Sequence, residues 1–185
     1  MKSKRVKLLL LLGAIGVGIL VFLLFFGFPQ KTHEKPKSGE EDFAVIELSG
    51  GKKIVVELYS DSAPKTVENF KKLVQKGFYN GLAFHRVVPG FVAQGGDPDG
   101  NGNGGPGYTI PAEFNNRPHV TGTLGMARGS DPNSAGSQFY ICLSPQPDLD
   151  KKYTVFGQVV EGMEHARNIK VGDLMKRVYI KKPSS

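Results

Sequence analysis

The chain of 185 residues contains no tryptophan and a single cysteine, Cys142. A lone cysteine cannot close a disulfide within the chain, and its place in the apolar run 139–143 reads as a small buried hydrophobe. The four histidines, His33, His85, His119 and His165, lack metal-ligand spacing, which argues against a metal centre. Ser137 lacks the Gly-x-Ser-x-Gly setting of a hydrolase elbow, and the glycines from Gly95 to Gly107 lack the Gly-Lys-Ser/Thr ending of a phosphate loop. Asp97-Pro98-Asp99-Gly100-Asn101-Gly102 opens like a calcium loop, but its twelfth position is Tyr108 where a bidentate carboxylate is needed. No cofactor and no metal is expected. The formal charge is +7, with seven cations against four acids in residues 1–42, which leaves +3 there and +4 on the remainder. Those lysines are scattered and form no basic stripe, so nucleic-acid binding is not expected.

Charged and strongly polar side chains are also missing from residues 8–28, a run of 21. At about 1.5 Å per residue such a helix spans roughly 30 Å, the thickness of a bilayer's hydrocarbon core. Residues 1–7 carry four cations, which places the N-terminus in the cytoplasm and all that follows Pro29 on the far side. The run exceeds the usual apolar core of a cleaved signal peptide and ends without a small-x-small site, which favours an uncleaved anchor. Secretion after cleavage is the alternative. Residues 29–42 are rich in Lys, Glu, Pro and Ser and read as a flexible linker.

From Phe43 the pattern becomes that of one domain, 43–183. Residues 43–48 and 54–58 are apolar runs joined by Ser49-Gly50-Gly51-Lys52 and predict a hairpin. Ser62-Ala63-Pro64 offers a cap and an early proline for a helix with the stripe Val67, Phe70, Leu73 and Val74, closed by Gly77. Short strands follow at 84–88, 91–94, 123–126, 138–143 and 154–160, then a helix over 163–169 and a last strand at 177–181. Such a series of short strands with two helices suggests an antiparallel barrel.

The stretch FHRVVPGFVAQGGD, residues 84–97, has period two. It predicts Phe84, Arg86 and Val88 on one side and His85 and Val87 on the other, with His85 structural. It offers an apolar floor with two polar arms, Arg86 and Gln94, suited to holding an apolar ring and hydrogen-bonding a carbonyl. Together with GTLGMARGSDPNSAGSQFYICL (122–143) and YTVFGQVVEGM (153–163), this stretch resembles the cyclophilin family of peptidyl-prolyl cis-trans isomerases, in three blocks of the family's order and spacing.

The resemblance implies a mainly β fold, a closed eight-stranded antiparallel barrel capped by two α-helices, here preceded by one transmembrane helix. It implies isomerisation of Xaa-Pro bonds in proline-containing peptides and in folding proteins outside the cytoplasm. Arg86 and Gln94 would be catalytic. Phe91, Met126, Tyr140 and Leu149 would form the proline pocket with Val92 beside them, and Ala127, Arg128 and Gln138 would line the neighbouring channel. Tyr153, at a site often His in the family, joins the substrate-binding set. Arg128 and Tyr140 replace a frequent Asn and a frequent Phe. Asp148 replaces a Trp that contributes to cyclosporin binding, so weak sensitivity to that inhibitor is implied. A non-catalytic proline-binding module or a chaperone is the alternative, against which the intact Arg86 and Gln94 argue. A monomer is expected.

Overall fold

The computed structural model describes residues 42–181. The basic flank 1–7, the expected membrane-spanning segment 8–28 and the linker up to residue 41 lie outside the described residues. No helix within the described part is long and apolar enough to cross a membrane.

The chain enters through the predicted hairpin, β1 (Phe43–Leu48) and β2 (Lys53–Leu58), paired in antiparallel register. Helix α1 (Pro64–Gln75) follows, then β3 (Arg86–Val88), β4 (Val92–Gly95), β5 (Thr123–Met126) and β6 (Phe139–Cys142). A single 3-10 turn at Pro147–Leu149 leads to β7 (Val155–Glu161), the short α2 (Met163–Arg167) and β8 (Met175–Lys181). The eight strands form one antiparallel sheet in the order β3-β4-β6-β5-β7-β2-β1-β8.

Closure of the barrel is where the expectation needs correction. No ladder joins the two outermost strands, β3 and β8. Their approaches meet at an isolated bridge, Ala83 with Leu174, with backbone hydrogen bonds between residues 81–84 and 172–175 around it. The physical reason lies in β3, which is three residues long because Pro89 and Gly90 turn the chain at once; Gly90 takes φ of 71°, a region open to glycine. Too few residues remain in β3 to lace a second edge.

Amphipathic patterning explains the packing of α1. Val67, Phe70, Leu73 and Val74 are all buried, as the 3.6-residue period requires. Phe70 sits among Tyr79, Phe139 and Phe156 at centroid separations of 5.1, 5.7 and 5.5 Å. Ser62 does not cap this helix. Its N-cap is Ala63, with no side-chain cap. The carboxylate of Glu113 instead accepts the N–H groups of Lys65 (3.1 Å) and Thr66 (2.8 Å) and the Thr66 hydroxyl (2.7 Å). An anion therefore still occupies the positive end of the helix, brought from a loop distant in sequence.

Candidate active site

Antiparallel register builds the site. Arg86 on β3 lies opposite Gln94 on β4, Gln94 opposite Tyr140 on β6, and Tyr140 opposite Gly125 on β5. Directly paired residues share one face of a sheet, so these four form a single row across the outer face. Two residues along, Val88, Val92 and Cys142 form a second row on that face. Val92, Tyr140 and Cys142 make a small buried cluster distinct from the main core, with Phe91, Ala127, Leu149 and Tyr153 packed against it.

This pairing divides the predicted site residues. Phe91, Val92, Tyr140 and Leu149 come together, with Ala127 and Tyr153 packed in the same cluster. Met126 does not. It pairs with Phe139 on the opposite face, is 2% exposed and belongs to the main core, because strand alternation turns each residue away from its neighbour. Phe84 also departs from the predicted side. It is fully buried while Arg86 is exposed, since regular extended structure begins only at Arg86 and the period of two does not reach back to Phe84.

The polar arms are linked by hydrogen bonds whose direction is fixed from one end. The Gln138 amide nitrogen donates to the carbonyls of Gly102 (3.0 Å) and Gly104 (2.9 Å). With both its hydrogens used, Gln138 presents its oxygen to the Gln94 amide nitrogen at 2.9 Å. The Gln94 oxygen is thereby turned toward Arg86 and accepts from Nη1 at 3.3 Å. The guanidinium also lies over the Phe91 ring, 5.6 Å from its centroid, and no carboxylate among the described residues forms an ion pair with it.

The loop that supplies those carbonyls is wound around Asp97, a residue 1% exposed. Burial raises its pKa, but the backbone N–H groups of Asp99 and Gly102 and the nearby His85 outweigh burial and hold the carboxyl below its ordinary value. Both ring nitrogens of His85 are enclosed without a hydrogen-bond partner. Beside the row, a groove of about 540 Å³ runs past Gln94, Gly102, Tyr108, Ala127, Arg128 and Gln138, so the three residues expected to line a channel share one groove. Arg128 donates to the carbonyl of Lys152 at 2.9 Å and to that of Gly129 at 2.8 Å, and it covers Tyr153 at 4.7 Å.

Three residues beneath the pocket carry no local sequence signal. The Tyr140 hydroxyl lies 3.0 Å from His119 Nε2, and His119 Nδ1 lies 2.9 Å from Asp150 Oδ1. A Cβ on Gly125 would fall 2.3 Å from the Tyr140 ring, so the ring rests directly on this glycine. One clue was available in the substitution of Tyr for Phe, since a buried phenol requires a hydrogen-bond partner.

Among the described residues, no cluster of three or more His, Cys, Asp or Glu could hold a metal ion. What the site offers is a fixed cation and an oriented amide beside an apolar hollow, a set that can hold a ring and act on an amide by hydrogen bonding.

Comparison with known proteins agrees with this chemistry. The profile of the family described as cyclophilin type peptidyl-prolyl cis-trans isomerase/CLD matches residues 43–184. Peptidyl-prolyl cis-trans isomerase B of Bacillus subtilis is 53% identical over 135 residues, covering 72% of this chain and 94% of the relative. A peptidyl-prolyl cis-trans isomerase of Synechococcus elongatus is 50% identical over 139 residues, covering 74% and 94%. Among solved structures, a Cryptosporidium parvum cyclophilin type isomerase crystallised in the presence of the dipeptide Ala-Pro superposes with a TM-score of 0.70 at 31% identity, over 75% of this chain and 98% of that one. The chain belongs to the cyclophilin-type peptidyl-prolyl cis-trans isomerases.

Proposed function

We propose that Arg86 is the group that lowers the barrier to rotation about Xaa-Pro bonds, with the proline ring held in the hollow formed by Phe91, Val92, Tyr140, Leu149 and Tyr153. Conjugation gives the peptide bond a barrier of about 18–20 kcal/mol. As the bond twists, the prolyl nitrogen becomes pyramidal and gains a lone pair that the ground state lacks. A donor stationed near that nitrogen binds the twisted form better than either planar form, which is the condition for catalysis. The guanidinium keeps its charge at any working pH and offers a rigid fork of donors that can hold the substrate carbonyl and reach the nitrogen. The observation that carries this reading is the anchoring of Arg86 by the Gln94 oxygen and the Phe91 ring, beside the cluster of Val92, Tyr140, Leu149 and Tyr153, with the rest of the fork left without a hydrogen-bond partner among the described residues.

The substrate class inferred is a proline-containing peptide or unfolded chain, in keeping with the Ala-Pro dipeptide present with the Cryptosporidium parvum relative. The groove along Ala127, Arg128 and Gln138 would take the residues flanking the proline. We further propose that residues 8–28 anchor the chain in a membrane with the isomerase domain outside the cytoplasm, where it acts on translocated proteins. This rests on the 21-residue apolar run behind four cations. Mass measurement of the mature N-terminus separates the anchored form from a secreted one.

The test of the catalytic reading is the cis-to-trans rate of a short Xaa-Pro peptide, which takes tens to hundreds of seconds uncatalysed. The wild-type chain is expected to accelerate exchange and Arg86→Ala to lose most of that acceleration while remaining folded by circular dichroism. An Arg86→Ala variant of wild-type activity overturns the role of Arg86. Wild-type protein that binds the peptide without altering its exchange rate would be a proline-binding module.

A further inference from the structure

His119 is a buried titratable residue that the proposed chemistry does not use. Its side chain is fully enclosed, while that of Asp150 is 34% exposed. Asp150 Oδ1 faces two groups of His119, the backbone N–H at 2.8 Å and ring Nδ1 at 2.9 Å. These contacts, backbone bond first, hold the Asp150 carboxyl below its ordinary value, so the carboxylate accepts from both. Nδ1 therefore carries a hydrogen, and Nε2 offers its lone pair to the Tyr140 hydroxyl at 3.0 Å. Burial pushes the Tyr140 phenol upward, so it keeps its hydrogen, and His119 is its acceptor among the described residues.

The ring of Tyr140 is thus held at three points. Its hydroxyl is tied to His119, one side rests on Gly125, and Tyr153 meets it edge-on at 6.0 Å between centroids. Tyr140 is 5% exposed and lies directly opposite Gln94 in the row that carries Arg86. Displacing it would open the floor of the hollow, and turning its hydroxyl inward would place a polar group where a proline ring must sit.

We propose that His119, itself oriented by Asp150, is a positioning residue for isomerisation, which fixes Tyr140 as the floor of the proline pocket by accepting its hydroxyl. The inference rests on the assignment of the hollow beside Arg86 as the substrate site.

Two substitutions separate the two arms of the imidazole. Gln at 119 can reproduce the acceptor at Nε2 and forfeits Nδ1; Asn can reproduce Nδ1 and forfeits Nε2. Full-length chains carrying His119→Gln, His119→Asn, Tyr140→Phe and the His119→Asn/Tyr140→Phe pair are compared with the parent on a short Xaa-Pro peptide, with Arg86→Ala as reference. His119→Asn is expected to lower kcat/KM about tenfold, mainly through KM, while His119→Gln stays within about threefold. Adding Tyr140→Phe to His119→Asn is expected to cost less than about twofold more, because both changes break one interaction. The proposal is overturned if the Asn variant keeps the parent value, if Gln and Asn lose equally, or if the losses of His119→Asn and Tyr140→Phe multiply. Should neither His119 variant fold, Tyr140→Phe alone decides: a severalfold rise in KM supports the proposal and an unchanged KM overturns it. Arg86→Ala tells the two readings apart. If it keeps the parent kcat/KM, the site assignment itself fails; if it loses activity while the His119 results are adverse, only the positioning role falls.

Discussion

Gly125→Ala is the smallest change that should disable the pocket. A Cβ at this position would lie 2.3 Å from Cζ and from the hydroxyl oxygen of Tyr140, and 2.6 Å from Cε2. Ordinary contact begins near 3.4 Å, so the ring has to retreat by roughly an ångström, given that packed interiors have no slack to absorb it. Retreat takes the hydroxyl out of hydrogen-bonding range of His119, which is now at 3.0 Å. Overpacking of this kind costs about 1–3 kcal/mol, and a buried phenol without its acceptor costs about 1–3 kcal/mol more. Reduced freedom of the unfolded chain returns only about 0.4–1 kcal/mol. The net is a destabilisation of about 1–6 kcal/mol, which for a domain of this size lowers Tm by roughly 3–17 °C. Thermal melting followed by circular dichroism reads the stability, and peptide exchange reads kcat/KM, expected to fall at least tenfold at temperatures where the variant is folded. A variant that melts within about 2 °C of the parent and keeps its kcat/KM would show that the ring does not rest on this glycine, and would refute the reasoning.

Two further outcomes follow from the titrating groups. Asp97 is held below its ordinary value of 3.8, so its native contacts stabilise the fold at pH above that value and are lost as pH falls through the lower folded value. Tm measured from about pH 5 down to about pH 2 should drop less steeply in Asp97→Asn than in the parent; equal slopes would remove Asp97 from the account. Cys142 is fully buried, and burial, aided by the charge of Asp150, pushes its thiol up to about 12. It should resist maleimide in the native protein at mildly alkaline pH and react once the chain is unfolded, and rapid native labelling would contradict the burial.

The positions of most strands along the chain could be read from it, because local period and turn chemistry decide them, whereas the outer-face cluster was legible only through the resemblance of residues 84–97, 122–143 and 153–163 to the cyclophilin family. The hairpin at the start, the stripe of α1 and the run at Thr123–Met126 depend on neighbours in sequence. What escaped depends on pairing between distant segments. The resemblance puts Met126 in the pocket, yet register with Phe139 turns it inward. Glu113 reaches α1 from 47 residues away in sequence, a contact that no capping pattern near Ser62 reveals. His119 and Asp150 flank the pocket from beneath, where only the requirement of a buried phenol for a partner connects them to Tyr140. The direction of the amide chain from Gln138 to Arg86 likewise originates in backbone carbonyls of a glycine-rich loop, which in the sequence reads simply as surface.

The unlaced seam between β3 and β8 leaves each of these strands with a ladder partner on one side only. Such edges invite β-sheet extension and co-aggregation. Each is blunted differently. β3 is too short to template a partner and is followed at once by Pro89, while β8 carries Lys176, Arg177 and Lys181 exposed along its length. The sheet of the isomerase therefore offers little template on which the strand of another chain could grow.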